Sequence, residues 1–290
     1  MNRAWKVILL IILPLIAENA WGQSRYALLI GIGNYPKTSG WNTIHGDNDI
    51  SIIRDNLIRQ GFPVNQITSL INEEATKGNI IQSFENISSC LNQGDVVYIH
   101  FSGHGQQVTD LNGDEEDGFD EAWIPYDAQK LYQEDVYEGE KHLLDDELNG
   151  IFTKLRIRVG VKGKIIVVAD ACHSGSGSRG LPDDEVFVRG TADKFVIPHP
   201  AQNVRKKPMP TEWLFVAACK PYQSNYEYRS PGGEYYGILS YVIASDSNSF
   251  DACRYLDLLE SWGRGVSNKS RYPQDLDNEG QPSRKNVYMF

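Results

Sequence analysis

Two kinds of apolar pattern alternate along this chain. Short, nearly unbroken apolar runs read as strands covered on both faces. They fall at residues 25–32 (RYALLIGI, closed by Gly31 and Gly33), 67–71, 95–101 (DVVYIHF), 164–169 (KIIVVA), 212–218 (EWLFVAA) and near 286–290. Between them lie segments whose apolar positions recur at helical spacing. Residues 49–60 place Ile50, Ile53 and Leu57 on one face and stop at Gly61, a helix C-terminal signal. Thr76 is placed to cap a helix through Cys90 that gathers Ile80, Ile81, Phe84 and Ile87. Further helices are predicted over 145–155, 237–245 and 252–263.

Strands alternating with helices predict an α/β fold, a three-layer sandwich on a mainly parallel central sheet of about six strands. Two stretches break this rhythm. Residues 110–121 form an acidic, glycine-bearing loop. Residues 174–211 hold many Gly, Ser, Pro and charged residues with weak periodicity, so 179–211 reads as an exposed linker. In open parallel sheets, ligands bind beyond the carboxyl ends of the strands. Two of those ends carry reactive side chains: one runs into Ser102-Gly103-His104-Gly105, the other into Asp170-Ala171-Cys172-His173.

The chain's 290 residues, 41% of them hydrophobic, can bury one generous core or two modest ones. A net charge of −10 lacks the basic face a nucleic-acid partner needs, so none is expected, whereas a cationic peptide is compatible with it. Residues 1–22 stand apart. Arg3 and Lys6 precede an apolar run over 7–17, and Ala20 and Gly22 supply small residues before Gln23. That pattern predicts an export signal, with one mature domain over 23–290 released to the periplasm or secreted. The run is short against the roughly 20 residues of a membrane-spanning helix, so no stable insertion is expected after the signal is removed. An uncleaved anchor is the alternative. Four cysteines (Cys90, Cys172, Cys219, Cys253) are too few for a disulfide scaffold. A Cys219–Cys253 bridge and free buried thiols both stay open.

A thiol attacks a carbonyl carbon well when its pKa is lowered or a base stands beside it. His104 and Cys172 follow strands that are able to be neighbours, which would bring imidazole and thiol together. Glycines on both sides of His104 let a backbone approach, and the N–H groups of Gly105 and Cys172 are natural oxyanion donors. Taken singly, Cys172 also fits a small buried hydrophobe and His104 a satisfied structural residue.

The segments 101–106 (FSGHGQ) and 170–177 (DACHSGSG) resemble the His and Cys motifs of the caspase-like clan, metacaspases and bacterial caspase-like peptidases above all. The likeness runs in order along nearly the whole mature chain. Residues 26–35 (YALLIGIGNY), 46–49 (GDND), Thr76, Asn79-Ile80 and Gly94-Asp95 resemble the family's stations before its His motif. Residues 120–127 (DEAWIPYD) and 144–148 (LDDEL) also fit. Ala217-Ala218-Cys219, Gln223, Glu227 and Gly237-Ile238-Leu239-Ser240 resemble the small-subunit half.

The resemblance implies a caspase-hemoglobinase fold, large-subunit-like over 23–178 and small-subunit-like over 212–290. It implies a cysteine-type endopeptidase in which Cys172 attacks the peptide carbonyl and His104 protonates the leaving amine, then activates water. No cofactor is required for that chemistry. Carried over residue by residue, the metacaspase pocket falls on Asp49, Ser102 and Asp170, which implies peptide or protein substrates with Arg or Lys at the cleaved bond. The structural alternatives are Asp49 as a helix cap and Asp170 as a partner of loop amides. A basic-specific pocket in turn makes Arg179 and Arg189, each followed by Gly in the linker, candidate self-cleavage sites.

Asp110, Asn112, Asp114 and Glu121 fall at positions 1, 3, 5 and 12 of an EF-hand loop, but Glu115 stands where that loop requires Gly. The resemblance implies a different calcium site, at Asp120, Asp145 and Asp146. Arg179 stands at its fourth carboxylate position, with Asp183 and Asp184 nearby, and a solvated charged loop is the alternative. Three competing functional readings are a zinc site of His100, His104, Cys172 and His173, a legumain- or clostripain-like peptidase, and a non-catalytic scaffold.

Overall fold

The computed structural model describes residues 23–173, 186–198 and 213–279. The expected export signal, Arg179, Asp183, Asp184 and the strand expected near 286–290 lie outside the described residues. The chain begins with β1 (Arg25–Gly31), α1 (Gly46–Arg59), β2 (Ile67–Ile71), α2 (Lys77–Cys90) and β3 (Val96–Ser102). A small antiparallel sheet follows, β4 (Gly105–Thr109), β5 (Phe119–Trp123) and β6 (Leu143–Leu144), leading into α3 (Asp145–Val159). Then come β7 (Lys164–Asp170), β8 (Leu214–Ala217), the hairpin β9 (Glu227–Arg229) and β10 (Tyr235–Gly237), α4 (Ile238–Ser245), α5 (Tyr255–Lys269) and β11 (Asp277–Glu279).

The central sheet has six strands in the order β11-β8-β7-β3-β1-β2, all parallel except β11. The near-continuous apolar runs follow from burial on both faces. Leu28, Ile30, Val97, Ile99, Val167 and Ala169 meet Ile80, Phe84 and Phe152 of α2 and α3. Ala27, Leu29, Val96, Tyr98, Ile166 and Val168 meet Ile53, Leu57, Ile243 and Trp262 of α1, α4 and α5. Successive strand residues thus serve opposite cores, the period-two alternation of a pleated strand. The result is the expected three-layer sandwich.

Several expected limits shift. Thr76 caps α2 as anticipated, its side chain accepting the Asn79 N–H, and the helix ends at Cys90. The first helix starts at Gly46, so Asp49 is not its cap but lies in its first turn. The β4–β5 hairpin was not foreseen, because GQQVT and FDEAW carry too little apolar alternation to read as strands. The antiparallel edge strand within the described residues is β11, well before 286. The linker reading also needs correction: within 186–198, Arg189 and Phe195 are fully buried. Neither finds its partners by periodicity. Arg189 sinks among carboxylates, and Phe195 packs on Tyr132, Tyr137 and His142. Among the described residues no helix is long and apolar enough to cross a membrane.

Candidate active site

The parallel register puts Gly31 opposite Ser102 and Ser102 opposite Asp170, so three strand ends form one edge. His104 follows β3 and Cys172 follows β7, on adjacent strands as the sequence suggested. The His104 ring stacks on Trp41, with centroids 4.8 Å apart, and its Nε2–H donates to the Asn42 carbonyl at 2.9 Å. Its backbone N–H donates to the Tyr35 hydroxyl, which donates in turn to the Ile124 carbonyl. Nδ1 is buried with no hydrogen-bond partner among the described residues, and burial lowers the imidazole to about 4. A neutral ring with one fixed and one open nitrogen suits proton transfer. The Cys172 thiol donates to the Gln223 carbonyl at 2.9 Å, and Cys219 reaches the same carbonyl at 3.5 Å. Cys219 therefore lies beside Cys172 and forms no bridge to Cys253; none of the four cysteines is in a disulfide. Its thiol is held well above the ordinary value by the bond to Cys172 and by burial.

Residues 187–190 cross this edge in an extended path. The Arg189 N–H donates to the Asn225 carbonyl, the Glu227 N–H donates to the Phe187 carbonyl, and Val188 bridges Tyr226 in antiparallel fashion. The Arg189 carbonyl accepts the Cys172 N–H at 2.8 Å. Gly190 bridges Gly105 in parallel, so the Arg189–Gly190 peptide lies between the backbones of Cys172 and Gly105. The path then follows β4, where the Phe195 N–H donates to the Gln107 carbonyl and the Thr109 N–H to the Phe195 carbonyl.

The Arg189 side chain enters a closed polar pocket that gathers Asp49, Ser102 and Asp170, all of them fully buried. Nη1 donates to Asp49 Oδ2 at 2.6 Å and to Ser102 Oγ at 2.5 Å, and lies 3.5 Å from Asp170 Oδ1. Asp170 is held by the Ser240 N–H and Oγ–H on one oxygen and by Asn225 Nδ2 on the other. The Gly237 N–H reaches Asp49 Oδ1 at 3.0 Å. A fourth polar wall was given no role from sequence. Glu227 Oε1 accepts Nε at 3.0 Å and Nη2 at 2.9 Å. Glu227 stood only within the family-like small-subunit series, because Glu-Tyr-Arg in a three-residue strand carries no pattern signal of its own. Burial works against the Arg189 charge, yet Asp49, Glu227 and Asp170 raise its pKa and keep it charged. Burial pushes Asp49 up to about 6 against the pull of Arg189, with Asp170 adding to the rise.

Gly237 lines this pocket because nothing larger fits. A Cβ there would stand 2.2 Å from Asp170 Oδ2 and 2.4 Å from Arg189 Nη1. Gly237→Ala is therefore expected to displace the Arg189 guanidinium and lower stability by ~3–5 kcal/mol, the cost of breaking a buried charge pair. Chemical denaturation beside the wild type checks this; an unchanged stability would show that Asp170 yields.

The acidic loop is the turn of the β4–β5 hairpin. Asp110 accepts the N–H groups of Asn112, Gly113 and Glu115. Oxygens of Asp110, Asp114 and Asp120 lie within 4.8 Å of one another. Of the expected trio only Asp120 belongs to this group; Asp145 and Asp146 flank it from the first turn of α3, where Asp146 bonds Asn112. Burial first, then Asp145 and Asp110, push Asp120 up to about 8. Such clustered, incompletely neutralised carboxylates offer the oxygen donors a hard divalent cation takes. The zinc arrangement does not assemble among the described residues: His100 Nε2 pairs with Ser240 Oγ at 3.0 Å, and no such His/Cys group forms.

A family model of the caspase domain matches residues 24–287, and the chain belongs to that peptidase family. It is 34% identical over 161 residues to metacaspase-1 of Eremothecium gossypii, covering 53% of this chain and 32% of the relative. It is 37% identical over 164 residues to metacaspase-3 of Arabidopsis thaliana, covering 54% of this chain and 41% of the relative. The chain thus matches less than half the length of these curated relatives. A crystal structure of a Geobacter sulfurreducens protein superposes with a TM-score of 0.62 over 91% of this chain and 97% of the other, at 19% identity, a likeness of fold alone.

Proposed function

We propose that this protein is a cysteine endopeptidase that cuts after basic residues, and that one bond it cuts is its own Arg189–Gly190. The observation that carries the reading is Arg189 itself. Its guanidinium is buried among Asp49, Asp170 and Glu227 while its carbonyl rests on the Cys172 N–H. A substrate held this way presents its carbonyl carbon to the Cys172 sulfur. The thiol proton passes to His104 Nδ1, the sulfur adds to the carbonyl, and the oxygen takes negative charge beside the Cys172 N–H, with Gly105 alongside. His104 returns the proton to the leaving nitrogen, the C–N bond breaks, and an acyl-enzyme remains. Water then adds to the thioester carbonyl while giving a proton to the same imidazole; the C–S bond breaks, the imidazolium returns that proton to the Cys172 sulfur, and the new carboxyl end leaves. The base is fixed by Asn42 and needs no third polar partner.

Peptides ending in Arg, Lys, Asp or Asn before a fluorogenic group test this on the mature chain, residues 23–290, beside Cys172→Ala. Turnover after Arg or Lys that vanishes in the variant is the expected result. Turnover only after Asp or Asn would sink the pocket assignment while keeping the thiol chemistry. No turnover, with Cys172 inert to alkylation, would favour the scaffold reading.

Calcium is a subsidiary part of the proposal. Asp110, Asp114 and Asp120 would hold it, with Asp145 and Asp146 behind them, and it would take no part in the bond-making steps. Millimolar calcium is expected to raise the thermal midpoint of the wild type by a few degrees, about 2–3 kcal/mol of binding linkage, and not that of Asp114→Asn/Asp120→Asn. Equal response of both chains would contradict it.

A further inference from the structure

We infer that the outer edge of β4 binds the part of a substrate that follows the cut bond, and that the socket now holding Phe195 takes an aromatic residue at the sixth position after the cut. The inference rests on the reading that the chain cuts between Arg189 and Gly190. β4 is an outer strand of the small sheet, with β5 along its other edge. Residues 190–197 lie on the outer edge as a parallel strap, Gly190 opposite Gly105 and Phe195 opposite Val108. The slack between those two points is taken up where the Asp193 N–H donates to Thr191 Oγ1.

Most of what holds the strap is addressed to its backbone. Gln107 and Thr109 bond the N–H and carbonyl of Phe195, Gln106 Nε2 donates to the Asp193 carbonyl at 2.8 Å, and the Ile197 N–H donates to Thr109 Oγ1 at 3.0 Å. Bonds of this kind give an extended peptide affinity whatever its sequence, and side-chain pockets add selectivity. Here the pocket is the socket of Phe195. Residues 192–194 and 196 are exposed, whereas Phe195 is fully buried against Tyr132, Tyr137 and His142. Gly139 closes the floor, where a Cβ would stand 2.9 Å from Phe195 Cε1.

The frame of the socket is bonded within itself and not to the ring it holds. The Tyr137 hydroxyl donates to His142 Nδ1 at 2.9 Å, and His142 Nε2–H donates to Gln106 Oε1 at 3.0 Å. Burial lowers the His142 imidazole to about 4, which keeps it neutral for this relay. Gln106, fully buried, spends one N–H on the Lys130 carbonyl of the fold and the other on the strap. Once the bond before Gly190 is cut, the strap is tethered at its far end alone, and a substrate with the same features can exchange with it.

The test uses whole chains of the Phe195→Ala variant, which vacates the socket, and three peptides. The first has the sequence of residues 186–197, VFVRGTADKFVI. The second carries Ala in place of its second Phe, and the third has that Phe exchanged with the Lys before it. The first peptide is expected to be cut about tenfold faster in kcat/KM than the second, the gain from burying one aromatic side chain, and the third no faster than the second. All three are compared on one enzyme, so a partly folded sample does not alter the ratios. Where Phe195→Ala does not fold, Phe195→Leu keeps more of the buried volume and should give the same order with a smaller gap. Equal rates on the first two peptides, or an equal gain from the third, would overturn the inference and leave cutting after basic residues standing. Failure of the wild type to turn over an Arg peptide carrying only a fluorogenic group after the bond would remove that reading, and the inference with it.

Discussion

Cys172→Ala is expected to remain a single chain, where the wild type yields one fragment ending at Arg189 and another beginning at Gly190. The bond is already in position: Arg189 is seated, its carbonyl lies on the Cys172 N–H, and Gly190 pairs with Gly105. The missing element is the sulfur. Removing a nucleophile that acts in concert with its base lowers turnover by about 10³-fold or more. His104→Ala should fall by a similar factor, and the double variant by little more. The two wild-type fragments should stay together after the cut. Phe195 is fully buried against Tyr132, Tyr137 and His142, and β8 lies in the same sheet as β7. Intact mass under denaturing conditions shows the cut, and gel filtration under native conditions shows the association. A chain cut equally well in Cys172→Ala would mean another protease does the cutting.

The second large effect is expected from Asp49→Asn, which keeps the shape of the side chain and removes its charge. Asp49 Oδ2 is the carboxylate oxygen closest to the guanidinium, 2.6 Å from Nη1, and it also accepts the Ser102 hydroxyl at 2.5 Å. Losing one partner of a buried, hydrogen-bonded charge pair costs ~2–5 kcal/mol, so cleavage after Arg should fall by about 10²–10³-fold. Stability should respond differently. Asp49 is pushed up from 3.8 to about 6, chiefly by burial. A raised folded-state pKa contributes stability that is full below the unfolded value and is lost as pH rises through the folded one. The wild type should therefore lose stability from this group between about pH 4 and pH 6, and Asp49→Asn should not, as Arg189 keeps Asp170 and Glu227. Chemical denaturation across that window separates the two chains. A parallel pH dependence in both would show that Asp49 is ionised without strain.

Much of this was readable before any coordinates. The strands of the sheet announced themselves because burial on both faces makes β1, β3 and β7 nearly all apolar, and the glycines after two of them marked the edge where His104 and Cys172 lie. The likeness to metacaspases picked out Asp49, Ser102 and Asp170, which the structure brings together. What the sequence hid was pairing that no periodicity encodes. Arg189 looked like a solvated linker residue because a buried guanidinium is recognisable only once three carboxylates are seen around it. Glu227 gains its place from β9, a three-residue strand too short to carry a pattern of its own. The β4–β5 hairpin is stitched by backbone bonds rather than by an apolar face, so its polar residues read as loop. The carboxylates whose oxygens converge are Asp110, Asp114 and Asp120, with Asp145 and Asp146 flanking them, because a hairpin turn folds its own carboxylates inward.

The most direct test of a basic-directed thiol peptidase is covalent labelling of residues 23–290 by two peptidyl acyloxymethyl ketones, one ending in Arg and one in Asp. The account predicts a single adduct from the Arg reagent, mapped to Cys172, and none from the Asp reagent under the same conditions. Labelling of Cys172 by the Asp reagent alone, or by neither while other thiols react, would contradict it.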